Sequence, residues 1–140
     1  MKTIELKATT VQLRDDGIMH IHIKEGNEMQ LEDAIEAVET MGKLGNKQKF
    51  PVLIDCGPFA TIDKDVRIFS ASKEANIYTS ADAVAYHSFA HKLLADFYVN
   101  YNKPSIPTKV FLDNISAIEW LKTFQKEKIK PADAKTTHIL

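Results

Sequence analysis

The run from Pro51 to Cys56, "PVLIDC", is the most apolar short stretch in the chain. Pro51 in front and Gly57-Pro58 behind confine it to a short element. A β-branched run without polar alternation reads as a strand buried on both faces, which belongs in the interior of a sheet covered by helices on both sides. The residues on either side agree. The stretch 27–46, "NEMQLEDAIEAVETMGKLGN", places Leu31, Ala34, Ile35, Val38 and Met41 at helical spacing. Asn27 followed by Gln30 has the spacing of a capping box, and Gly45-Asn46 is a stop signal. Before it, Met19, Ile21 and Ile23 alternate as a strand. A strand, a helix and a second buried strand form a crossover unit, so the sheet is at least partly parallel.

Towards the N-terminus the alternation slips. Ile4, Leu6 and Ala8 occupy even positions, Val11 and Leu13 odd ones. A slip of one residue turns side chains to the other face, so Thr9-Thr10 marks a break or a bulge. A three-residue loop, Asp15-Asp16-Gly17, with Gly17 left-handed, would set Leu13 opposite Met19 and Val11 opposite Ile21. That register keeps one face apolar and turns His20 and His22 to the opposite, solvent-facing side.

Beyond Cys56, "DKDVRIFSASKEA" reads as a helix capped by Asp63, with Val66 and Phe69 inward. "DAVAYHS" reads as a short strand. "SFAHKLLADFYVNY" is an amphipathic helix capped by Ser88, with Phe89, Leu93, Phe97 and Tyr101 on its apolar stripe. The aromatic residues Phe89, Phe97, Tyr98 and Tyr101 are expected as core. "TKVFLD" is the last strand. The closing helix opens at Ser116 with Glu119 as a capping box, and Ile115 and Trp120 are placed as a hydrophobic staple. The fold class expected is therefore α/β: a mixed, mostly parallel sheet of about five strands with about four helices. Residues 1–125 form the domain, and residues 126–140, which lack a clear period, are expected as a mobile tail.

The 140 residues carry 18 Lys and Arg against 19 Asp and Glu, a net charge of −1. Without a concentrated basic face, nucleic acid is not expected as a partner. No apolar run approaches the roughly 20 residues of a membrane helix, and the N-terminus lacks a signal-peptide core. A cytoplasmic protein is expected. One cysteine excludes an internal disulfide and a multi-Cys zinc site.

This order of elements, with "FPVLIDCGPFATID" leading into the second helix, "PTKVFLDN" as the last strand and "SAIEWL" in the closing helix, resembles the STAS domains. These anti-sigma-factor-antagonist-like folds share architecture with the lipid-binding CRAL-TRIO domains. The chain is similar to their small, stand-alone bacterial members. In anti-sigma-factor antagonists the turn that opens the second helix carries an Asp followed by a hydroxyl that a kinase phosphorylates, and the added charge changes partner affinity. Here Asp63 matches that Asp, but Lys64 and Asp65 stand at the hydroxyl positions, and neither side chain can take a phosphoryl group in that way. The resemblance therefore implies a regulatory, protein-binding module without phospho-control at this turn. The turns "GPFATIDKD" and "LDNIS" would form its contact surface, with Asp63, Lys64, Asp65, Asp113 and Asn114 as contact residues. The alternative is a protein binding a small apolar ligand or lipid, by analogy with CRAL-TRIO architecture. A protein partner, a small apolar ligand and a homodimer are the partner classes left open.

Catalytic chemistry has little support. Cys56 has no adjacent His to lower its pKa and is expected as a small core residue. Asp55 is expected as a loop cap or pair partner. His20 and His22 share a strand face, and His87 and His91 are four apart, but no third ligand is placed by sequence. The chain carries no P-loop, no dinucleotide fingerprint and no nucleophile elbow. No catalytic residue, cofactor or metal is expected.

Overall fold

The computed structural model describes residues 1–137, with side chains described as far as Gln125. Strands β1 (Lys2–Glu5), β2 (Thr9–Leu13) and β3 (Met19–Ile23) form an antiparallel meander. After them come β5 (Phe50–Cys56), β7 (Thr79–Ala85) and β8 (Thr108–Phe111), each parallel to its neighbour, giving a six-stranded sheet in the order β1-β2-β3-β5-β7-β8. The buried run 51–56 thus lies inside the sheet, between β3 and β7. Two short strands, β4 (Glu28–Met29) and β6 (Thr61–Ile62), pair separately. The helices are α1 (Leu31–Leu44), α2 (Lys64–Ser70), α3 (Phe89–Phe97), continued by a π-helical turn at Tyr98–Asn102, and α4 (Asn114–Thr137).

The phase slip at Thr9-Thr10 is neither bulge nor simple break. It is a chain reversal that creates an additional edge strand, closed by Leu6 N–H donating to the Thr9 carbonyl at 2.8 Å. The next hairpin has the expected register, with Leu13 opposite Met19 and Val11 opposite Ile21, and Gly17 at φ +80°.

The two sheet faces differ in character. Met19, Ile21, Val52 and Ile54 face α1, packing on Ala37 and Met41. On the other face β7 presents Ala81, Ala83 and Ala85, all nearly inaccessible, together with Ile18 and Leu53. This small-residue ladder lets α4 come close and bury Ala117 and Leu121. Trp120, half-buried, packs its ring 5.6 Å from Phe111 and 4.8 Å from Phe124.

Several boundaries depart from expectation. Helix α1 is capped by Gln30 with Asp33, not by Asn27 with Gln30: Gln30 N–H donates to Asp33 Oδ2 at 2.9 Å. The Asn27 carbonyl is instead engaged by Thr61 N–H at 2.9 Å, extending the β4–β6 pairing. Helix α4 starts two residues before Ser116, with Asp113 Oδ1 accepting from Ser116 N–H at 2.7 Å. Ile115 is exposed, so it forms no staple with Trp120. In α3 the stripe Phe89, Leu93, Phe97 and Tyr101 faces outward, and the helix turns Leu94, Ala95 and Tyr98 towards the sheet. Both stripes are apolar, so helical period alone could not choose between them. Helix α4 continues through residues 126–137. Side chains beyond Gln125, residues 138–140 and the mobility expected of that tail lie outside the described residues.

Candidate functional site

Asp55 lies near the carboxyl end of β5, and the parallel register sets it beside His22 of β3. Period two then puts His20, His22 and Asp55 on the α4 face of the sheet. His20 Nε2 lies 2.8 Å and His22 Nδ1 3.0 Å from the same oxygen, Asp55 Oδ1. The second oxygen faces Asn114 Nδ2 at 3.4 Å and His87 Nε2 at 3.7 Å. The histidines are therefore half-buried partners of a buried carboxylate, not solvent-facing side chains. Burial opposes ionisation of Asp55, but the hydrogen bonds from His20 and His22 outweigh it and hold the carboxyl well below the usual carboxylate range.

These three side chains offer donor atoms within 4.8 Å of one another, a set that could hold a metal ion. The third ligand that the sequence did not place is thus Asp55. Both imidazoles hydrogen-bond directly to Asp55 Oδ1, so an ion bound there would have to replace those bonds. For either imidazole, Asp55 is the hydrogen-bond partner seen among the described residues. Burial, with the neighbouring Asp55 charge, pushes the Cys56 thiol up to about 11, leaving it protonated at neutral pH.

Around this cluster the loops after β5, β7 and β8 form one end of the sheet. A shallow hollow of about 570 Å³ lies between the first two, with His22 and Asp55 in its wall beside Phe59 and His87. Gly57 fits there because a Cβ would sit 2.7 Å from the Glu25 backbone nitrogen. Asp63 caps α2 by accepting from Val66 N–H at 3.1 Å, as expected, and Lys64 and Asp65 are exposed in the first turn. Of the expected contact residues, Asp113 and Asn114 stand beside the cluster and Asn114 reaches into it. His91 is drawn away, its Nε2 lying 3.0 Å from the Ala60 carbonyl, while Ser88 caps α3 as expected.

A family model for a domain of unknown function, DUF7793, matches residues 11–125. The chain belongs to the DUF7793 family. No curated protein matches it. An uncharacterised DUF3478-family protein with a SpoIIAA-like fold, from Shewanella loihica PV-4, is similar with a TM-score of 0.54 at 14% identity, over 81% of this chain and 92% of that one. That likeness shows a SpoIIAA-like fold for this DUF7793 domain. A protein of unknown function from Arthrobacter sp. FB24 is 26% identical over 80% of this chain and 97% of that one, with a TM-score of 0.31.

The opposite sheet face of the DUF7793 domain holds a partly enclosed cavity of about 140 Å³, bounded by the sheet and helices α1 to α3. Asp82 of β7 lines it and is buried, 5% exposed. Sequence reasoning passed over this residue. The available signal was a lone charge in "DAVA", a strand flanked by alanines. The His20–His22–Asp55 contact carried no such local signal, because it depends on the β3–β5 register.

Proposed function

We propose that this STAS-like domain is a non-enzymatic regulatory module that binds a protein partner through the carboxyl end of its sheet. One observation carries this reading: Phe59, Phe89, Leu112 and Ile115, from the loops or first helical turns after β5, β7 and β8, are 69–84% exposed. Large apolar side chains gathered at one end of a domain mark a contact surface. Asp63, Lys64, Asp65 and Asp113 supply charge around it, and the Asp55 cluster, through Asn114, ties the start of α4 to β3 and β5. Lys64 and Asp65 replace the phosphorylatable hydroxyl of related domains, so the surface is constitutive. The test is affinity capture from the native cells with wild type and with Phe59→Asp/Phe89→Asp. A partner retained by wild type, lost by the double variant and kept by Lys109→Ala supports the reading. Equal capture by the double variant overturns it, and a phosphosite between Thr61 and Ser72 that modulates binding overturns its constitutive character.

The cavity favours a second reading, the binding of a small apolar ligand. It lies beside α3, where a ligand pocket is expected if the CRAL-TRIO analogy extends to this chain.

A further inference from the structure

The cavity wall is apolar where Ile21, Val52, Ile54 and Val84 of the sheet meet Met41 and Leu94 of the helices. An apolar cavity of about 150 Å³ stays dry and accepts a molecule of benzene size. This cavity is of that order but is not uniformly apolar, because the Asp82 carboxyl lies in its wall. No hydrogen bond or ion pair to that carboxyl is seen among the described residues, although the residue is more than nine-tenths buried. Buried polar groups in folded proteins are nearly always partnered, and an exception calls for an occupant or a function. The cation in the same wall does not fill this role. Arg67 donates from Nη1 to the Ile62 carbonyl at 2.8 Å and holds its guanidinium over Phe97, 5.5 Å from the ring centre; its Nε is buried without a partner, and no ion pair with Asp82 is seen among the described residues.

We infer that this cavity is a binding site for a small apolar molecule carrying one protonated amine, with Asp82 as the anchor of the ammonium group. The inference rests on the second reading above and names its ligand class. A neutral hydrocarbon would fill the space but leave the carboxyl without a partner. An anion could take the unpartnered Arg67 Nε–H, but it would be repelled by Asp82 and would lose its hydration. A primary ammonium donates a charge-assisted hydrogen bond to the carboxylate, and its apolar body takes the place of water against the aliphatic wall. Tyr98 lines the same cavity, and burial together with the Asp82 charge pushes its hydroxyl upward, so it stays a neutral phenol there.

The experiment titrates the full chain with benzylamine, ethylbenzene and benzoate at pH 7.5, read by calorimetry and by amide shifts of β5, β7 and α3. Benzylamine is expected to bind at least about tenfold more tightly than ethylbenzene, and benzoate not at all. Asp82→Asn should weaken benzylamine by about tenfold and leave ethylbenzene within about twofold. Equal affinities for the amine and the hydrocarbon, or an Asp82→Asn variant that binds benzylamine as wild type does, overturn the anchor while the cavity reading stands. If none of the three probes shifts the cavity amides, the ligand-binding reading falls with the inference.

Discussion

Replacing Asp82 by asparagine should make this protein more stable, and by an amount set by pH. Burial raises the Asp82 carboxyl from its ordinary 3.8 to about 7. An acid whose pKa is raised on folding holds its proton more tightly in the folded state. Its contribution is then most favourable below the unfolded-state value and is lost as pH climbs to the folded one. At about 1.4 kcal/mol per pH unit, that window corresponds to on the order of 4 kcal/mol. Tyr98, which lines the same cavity, is itself pushed upward by burial and the Asp82 charge, so it stays neutral throughout. Asparagine resembles the protonated acid in shape and polarity but does not titrate. Near pH 4 the two proteins should have similar stability. By pH 8 the variant should exceed wild type by about 2–4 kcal/mol. Urea denaturation at half-unit steps from pH 4 to 8 measures this, because titrations elsewhere cancel in the difference. A difference that does not change with pH, or a variant less stable at pH 8, would refute burial as the source of the effect.

Asp55→Asn should act in the opposite sense, destabilising by about 1–3 kcal/mol at pH 7 through loss of the charged acceptor shared by His20 and His22. Because the folded-state pKa of Asp55 is depressed, wild type keeps this advantage at neutral pH and loses it on acidification, so urea midpoints of the two should converge at low pH. Trp120→Ala should cost about 2–4 kcal/mol, since the ring is half-buried between Phe111 and Phe124; a thermal shift near zero would contradict that packing. Elemental analysis of untagged protein purified without added metal should find less than stoichiometric zinc or nickel, and one ion per chain that is lost on His20→Ala would overturn this.

Much of the fold was legible because its signals are local. The apolar run before Gly57 placed an internal strand, since a two-face-buried strand has few other homes. The Asp15-Asp16-Gly17 loop fixed the β2–β3 register, because turn geometry and the demand for one apolar face agree. Asp63 and Ser88 capped the helices they were expected to cap, each needing only its own turn of backbone. Local signals were weaker where two solutions satisfy the same pattern. Helix α3 carries two apolar stripes, and packing against the sheet selected the one with Leu94, Ala95 and Tyr98. Asn27 has a capping spacing, but its carbonyl was taken by Thr61 from a strand remote in sequence.

The sequence by itself determined the α/β class, the internal position of β5 and the absence of a phosphorylatable hydroxyl at Lys64 and Asp65. Tertiary structure alone decided the sites. His20 and Asp55 are 35 residues apart and meet at 2.8 Å only because β3 and β5 pair in one parallel register. Asp82 acquires its raised pKa only because three helices close over that face of β7. Periodicity records which side of a strand a residue occupies. It does not record what the neighbouring strand or covering helix brings to that side, and hydrogen bonding and desolvation depend on that.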